Sequence, residues 1–243
     1  MSTERTYEGG ELDLFLAARN WKAYWSRRLA RHIGESVLEV GAGFGANTPY
    51  LYGESRRRWL CLEPDAALTR QIPERLHDYP WAGRIETRVG TLQDVAEGET
   101  FDTLLYIDVL EHIKDDHAEL RTAVAHVNPG GKIVVLSPAH TWLYTPFDRA
   151  IGHYRRYSRR TLRACTPPGT RLVELYYLDA AGLLASSANR LFLRQRMPTP
   201  AQIQVWDQWL VRSSLLLDPL LAYQLGKTVI GVWQREDEAA PFS

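Results

Sequence analysis

A chain of 243 residues, 45% of them hydrophobic, has enough material for one α/β sheet with covering helices or for two small domains. Its 29 basic and 29 acidic side chains cancel, which argues against a general nucleic-acid binder. No apolar run approaches the ~20 residues of a bilayer span, and the polar start Met1-Ser2-Thr3-Glu4-Arg5 lacks the apolar stretch of a signal peptide. These features predict a cytoplasmic protein with no membrane contact. Cys61 and Cys165 lack metal-ligand spacing and read as reduced packing residues.

In chain order, residues 11–31 read as an amphipathic helix: Leu12, Phe15 and Leu16 share a face, and Trp21, Tyr24 and Trp25 repeat the spacing. Val37, Leu38 and Val40 end a buried strand, and Gly41-Ala42-Gly43-Phe44-Gly45 lets the backbone bend sharply where a Cβ would obstruct it. Ala46-Asn47-Thr48 then opens a helix with free N–H groups. Strand, glycine turn and helix form a nucleotide-cofactor crevice in an open α/β sheet. The turn is G-x-G-x-G rather than the dinucleotide G-x-G-x-x-G, and Glu39 stands just before it. A carboxylate there suits a cationic ligand better than a pyrophosphate.

Leu60-Cys61-Leu62 is a second strand, ending in Glu63-Pro64-Asp65. An acid in that place accepts hydrogen bonds from ribose hydroxyls. Gly90-Thr91-Leu92 follows a third short strand, where an adenine is usually met. Phe101–Ile107 is a fourth, running into Asp108-Val109-Leu110-Glu111-His112, and Pro129-Gly130-Gly131 turns into a fifth at Lys132–Leu136. The alternation of strands and helices to about residue 138 implies right-handed crossovers and a parallel sheet.

Residues 139–157 break the pattern. His140, Trp142, Tyr144, Phe147, Asp148, His153 and Tyr154 crowd together there and predict an aromatic-lined pocket with a few polar groups. The basic and aromatic run His153–Arg160 could be an RNA strip, but acids elsewhere cancel its charge and a solvated helix start explains it. Beyond it come a strand at Leu172–Tyr177, a helix over 178–195, a loop at Pro198 and Pro200, a Trp-rich helix at Ala201–Leu217 and a last strand at Thr228–Trp233. Asp108, Glu111 and His112, with His117 or His140, could hold a metal. The reading in which Glu111 and His112 begin a helix and line a cleft is preferred, and no metal is expected.

The motifs at residues 35–138, in this order, resemble those of the class I S-adenosylmethionine (SAM) methyltransferases. The resemblance implies a Rossmann-like, seven-stranded, mostly parallel sheet in the order 3-2-1-4-5-7-6, with helices on both faces. It implies one domain: a flap and helix at 1–34, a SAM-binding core at 35–138, and a substrate insert with the last helices and strands at 139–243. Glu39, Gly41, Gly43, Gly45, Glu63, Pro64, Thr91, Leu92, Asp108 and Val109 would bind SAM. Tyr7, Trp142, Tyr144, Asp148, His153 and Tyr154 would contact a small-molecule acceptor. The N-terminus and length are also similar to the azapteridine N-methyltransferases of toxoflavin biosynthesis. That likeness implies secondary metabolism, a planar heteroaromatic acceptor, Tyr7 on a flap over it, and no base. An oxygen acceptor would instead need one, from His112, His140 or His153. A nicotinamide-dependent oxidoreductase shares the fold but needs a third glycine one place later and leaves Asp108–His112 unexplained. A non-catalytic RNA-binding module would have no use for Glu63.

Overall fold

Alternating burial sets the two faces of the sheet. In β1 (Ser36–Val40), β2 (Arg58–Glu63) and β4 (Phe101–Ile107), Val37, Trp59, Cys61, Leu105 and Ile107 pack to one side, while Leu38, Val40, Leu60, Leu62, Leu104 and Tyr106 pack to the other. Each large apolar side chain buried in this way contributes roughly 1.5–3 kcal/mol. The computed structural model describes residues 16–188 and 199–237. With β3 (Ile85–Val89), β5 (Val127–Pro138), β6 (Thr170–Leu178) and β7 (Thr228–Arg235), these strands form one seven-stranded sheet in the order β3-β2-β1-β4-β5-β7-β6. β1 to β5 pair in parallel, and β7 runs antiparallel to both its neighbours. The order reverses between β1 and β4, which opens a crevice beyond their carboxyl ends.

One face is covered by helix α1 (Arg19–Leu29), whose Trp21, Trp25 and Leu29 join the core with Trp206 and Val211 from far along the chain. The start of α1 has no side chain of its own to satisfy its N–H groups, because Ala18 stands at the capping position. Asp207 does so instead. Its Oδ1 accepts from Trp21 N–H at 2.8 Å, and its Oδ2 accepts from the backbone and side chain of Asn20 at 3.1 and 3.0 Å. Asp207 sits in a π-helical turn, Trp206–Leu210, between two α-helical stretches, Pro200–Val205 and Val211–Leu220. Tyr24 adds a second tie, its hydroxyl donating to Asp218 at 2.8 Å.

Three local expectations change. Glu111 and His112 lie in a single tight turn, Leu110–His112, and not at a helix start. The next helix, Asp116–Ala125, begins only where Asp115 can cap it by accepting from Ala118 N–H. The Trp-rich helix starts at Pro200, capped by Thr199, and includes the π turn. Among the described residues of the expected 11–31 helix, Ala17 and Ala18 interrupt it ahead of Arg19–Leu29.

Candidate active site

The crevice is an open cleft of about 1310 Å³. Eight of the ten residues expected to bind SAM line it: Gly41, Gly43, Glu63, Pro64, Thr91, Leu92, Asp108 and Val109. Gly41 and Gly43 have φ of +64° and +57°, in the left-handed region that side chains rarely adopt. A Cβ on Gly41 would stand 2.7 Å from Val109 Cγ2, so the glycine turn and the segment after β4 meet too closely for any other residue. Glu63 fastens the turn from β2. Its Oε2 accepts from Gly43 N–H at 2.8 Å and its Oε1 from Asp65 N–H at 2.9 Å. Each oxygen keeps the capacity to accept one more hydrogen bond, and Glu63 lines the cleft. Burial raises the Glu63 pKa, and those two N–H bonds oppose the rise. Asp94 fixes Thr91 by accepting from its N–H and its hydroxyl at 2.8 and 2.9 Å, which seats the buried Leu92.

Asp108 stands on the cleft floor with φ +55°, held there as its N–H donates to Leu136 O at 2.8 Å. Surrounding protein pushes its pKa up to about 6, against the charges of His153, Lys22, Lys227 and Arg156. Lys22, buried on α1, donates to Ala46 O at 3.3 Å, and burial lowers its pKa to about 8.

Two expected cofactor residues lie elsewhere. Glu39 does not line the cleft. Its side chain turns to the α1 face, where Oε2 accepts from Thr48 Oγ1 at 2.7 Å and Trp59 Nε1 at 3.0 Å, and burial raises its pKa. The strand's alternation puts Glu39 on the same face as Val37, away from the turn's concave side. Gly45 faces a separate small depression beside Arg75 and Tyr79.

At the far end of the cleft, Glu111, His112, Asp148, His153 and Arg156 come together. His153 Nδ1 lies 3.1 Å from Asp148 Oδ1, which also accepts from Arg156 Nε at 2.7 Å. Asp148 Oδ2 accepts from Thr145 N–H and hydroxyl at 2.7 and 2.8 Å. Burial alone would raise the Asp148 pKa; the bonds from His153 and Arg156 outweigh it and hold the carboxyl below its usual range. Glu111 is fully buried, with Oε2 accepting from Ser137 at 2.8 Å. Burial and the nearby Asp108 push its pKa well up. His112 meets the His153 ring edge-on, and burial lowers its pKa to about 4.

The expected aromatic pocket is differently built. Trp142 and Tyr154 are 49% and 44% exposed and do not line the cleft. Tyr144 serves the loop, its hydroxyl donating to His153 O at 2.7 Å. His140 also lies outside, with φ +65°, its Nε2 2.9 Å from Gly226 O and its ring against Tyr177. The cause is local: the short helix Pro146–Ala150, capped by Thr145 and Asp148, and the Ala139–Tyr157 bridge fold the loop on itself. The aromatic wall comes instead from Trp21, Trp25 and Trp206, with Phe147 alone from the insert. Tyr7 lies outside the described residues.

The sequence reading passed over Lys22 and Lys227, which line the cleft. Lys22 carried a signal, a lysine between Trp21 and Trp25 on the apolar side of a helix. Lys227 carried none; only the fold brings it over the Trp206 ring, 4.0 Å from its centroid.

A sequence model described as a methyltransferase domain matches residues 16–201. The chain belongs to that methyltransferase family. Ubiquinone biosynthesis O-methyltransferases are similar to it: that of Xanthomonas euvesicatoria pv. vesicatoria (strain 85-10) is 30% identical over 149 residues, 52% of this chain and 60% of the relative. The Azorhizobium caulinodans protein of that name is 42% identical over 103 residues, 42% of this chain and 40% of the relative. The matches thus span well under two thirds of those relatives. Among solved structures, a geranyl diphosphate methyltransferase in complex with SAM superposes with a TM-score of 0.63 at 12% identity, covering 96% of this chain and 93% of the other. Coclaurine N-methyltransferase bound to N-methylheliamine and S-adenosylhomocysteine gives 0.60 at 14%, covering 89% and 72%.

The cofactor of this methyltransferase is SAM, and the cleft's chemistry fits it: the turn has no room for a Cβ at Gly41, Glu63 would accept from a diol, and Asp108 and Lys22, of opposite charge, would face an amino acid moiety. When bound, SAM supplies a methyl group already activated on a sulfonium. Among the described residues no helix is long and apolar enough to cross a membrane.

Proposed function

We propose that this methyltransferase transfers the methyl group to an oxygen of a small aromatic acceptor of the phenol or catechol type. One observation carries the reading: the far end of the cleft holds an imidazole oriented by a buried carboxylate, His153 on Asp148. A carboxylate at Nδ1 fixes the tautomer that leaves Nε2 to accept a proton. An oxygen acceptor has a proton to lose, and a positioned base contributes typically 10²- to 10⁴-fold. His112, with a pKa of about 4, is neutral at pH 7 but a weaker base. The O-methyl chemistry named for the ubiquinone-pathway relatives supports the same choice.

Alignment does the rest. Glu63 and the glycine turn hold one end of the cofactor, Asp108 and Lys22 the other, and the tryptophan wall keeps water from the line between acceptor and methyl. Such positioning contributes up to about 10 kcal/mol. The two free cysteines, both buried, suit the cytoplasm.

The test is methyl transfer from labelled SAM to a catechol, a simple phenol and an azapteridine, with the methyl position mapped in each product. We expect O-methylated phenols. Methylation of the azapteridine nitrogens alone would overturn this reading in favour of the toxoflavin-type one, which rests on Tyr7 and chain length.

A further inference from the structure

We infer that Glu111, His112 and His153 bind one divalent transition-metal ion, of the zinc or manganese kind, at the acceptor end of the cleft. The use of that ion rests on the oxygen-acceptor reading above; its binding does not.

The three donors come from segments far apart in sequence, the turn after β4 and the insert, yet their ligand atoms all lie within 4.8 Å of one another. Donors sharing an ion at bonds of about 2.0–2.2 Å stand roughly 3.0–3.5 Å apart, so a small contraction completes the set. A second observation points to a cation. Glu111 is fully buried, and its Oε1 has no hydrogen-bond partner among the described residues. A buried carboxylate oxygen left unpaired is costly, and a bound cation is one of the few arrangements that removes the cost. His153 Nε2 stands 3.9 Å from that oxygen, too far for a hydrogen bond.

A third observation is the support behind His153. Asp148 Oδ1 occupies its Nδ1, and Asp148 is in turn held by Arg156 and Thr145. A carboxylate behind the far nitrogen of a histidine is how metal-binding imidazoles are commonly oriented. The other cluster of similar make-up, Asp116, His117 and Cys165, lacks these features. Asp116 is already occupied by Arg155 at 2.6 Å and the Tyr157 hydroxyl at 2.7 Å. The sequence preferred a metal-free reading, and its metal alternative grouped Asp108, Glu111 and His112 with His117 or His140; the fold instead places His153 beside Glu111 and His112.

Two imidazole nitrogens and one carboxylate favour zinc, manganese, iron(II) or cobalt over calcium or magnesium, which prefer all-oxygen sets. Three protein ligands leave a coordination position open to the cleft. An acceptor oxygen entering there would lose its proton more readily, to water in the open cleft, and His153 would act as ligand in place of base.

The test is calorimetric titration of chelator-treated protein, without SAM, using zinc, manganese and magnesium chlorides. We expect one zinc or manganese ion per chain, with magnesium much weaker. Glu111→Gln and His153→Ala should each weaken binding about tenfold or more, and Asp148→Asn about tenfold. Cys165→Ala should leave it unchanged. Circular dichroism and SAM affinity verify that each variant is folded. Absence of saturable binding to the native protein, or unchanged binding in the folded Glu111→Gln and His153→Ala variants, would overturn the inference and leave a proton as the occupant of Glu111. A metal that binds without O-methyl transfer to any phenol would instead refute the oxygen-acceptor reading alone.

Discussion

At the cofactor end of the cleft, Gly41, Gly43, Thr91 and Val109 come from loops that follow β1, β3 and β4, Glu63 ends β2, and backbone shape does most of the work. At the acceptor end, Glu111, Asp148, His153, Arg156 and Lys227 come from the turn after β4, the insert and the residue just before β7, and side chains hold them in place. A site made of backbone is restricted at every position, because no substitution can reproduce a left-handed glycine pressed against Val109. A site made of side chains can be altered one group at a time. Within one fold, the first can keep SAM while the second takes on different acceptors.

The strongest way to break this contrast is at Gly41. Gly41→Val combines a strained φ with a clash on Val109 and should weaken SAM binding more than about a hundredfold. Native affinity by calorimetry would show that the turn tolerates a side chain and that the contrast is misplaced. Asp148→Ala tests the other end. It removes the partner of Arg156 and His153 and should lower kcat/KM for the acceptor about a hundredfold, while SAM affinity changes less than about twofold. Equal loss in both quantities would merge the two ends into one network.

Glu63→Ala should weaken SAM binding about tenfold or more, since each charge-assisted hydrogen bond contributes roughly 1.5–3 kcal/mol. Asp207→Ala strips the cap from α1 and should cost roughly 1–2 kcal/mol of stability, read as a lower Tm, with a smaller effect on SAM affinity. The smallest effect is expected at Glu99, outside the cleft. Hydrogen bonds from Arg88 and Arg58 hold its pKa at about 2, below the usual 4.5. A depressed carboxylate pKa contributes stability that is present above about pH 4.5 and lost as pH falls toward 2. Glu99→Gln should therefore cost less than about 1 kcal/mol at pH 7, a difference that shrinks in denaturation curves measured near pH 3.

The same contrast explains what the sequence could reveal. The strands and the glycine turn were legible because apolar alternation and φ-restricted residues are local signals, readable within a few positions of Gly41 or Glu63, whereas the strand order came only with the family resemblance. Glu39 was misplaced because motif position says nothing about which face a strand residue takes; counting alternation from Val37 would have corrected it. The insert was legible only as a place. Which of its aromatics face the cleft depends on the capped helix Pro146–Ala150 and on the bridge from Ala139 to Tyr157, and no hydrophobic periodicity announces either. The pairing of Glu111 with His153, and of Lys227 with Trp206, had no sequence signal at all.

The clamp of Asp207 on α1 has a consequence for synthesis. Trp21 and Trp25, among the first side chains of the cleft to leave the ribosome, stay without their anchor until residue 207 has been made. β7, inserted between β5 and β6, is later still. Domains fold as units as they emerge, and pairings between distant segments form slowly. A nascent chain released before residue 228 would hold the glycine turn and most of the SAM loops but neither a fixed roof nor a closed sheet. The cofactor crevice is thus begun early and made serviceable only after Asp207 and β7 have been made.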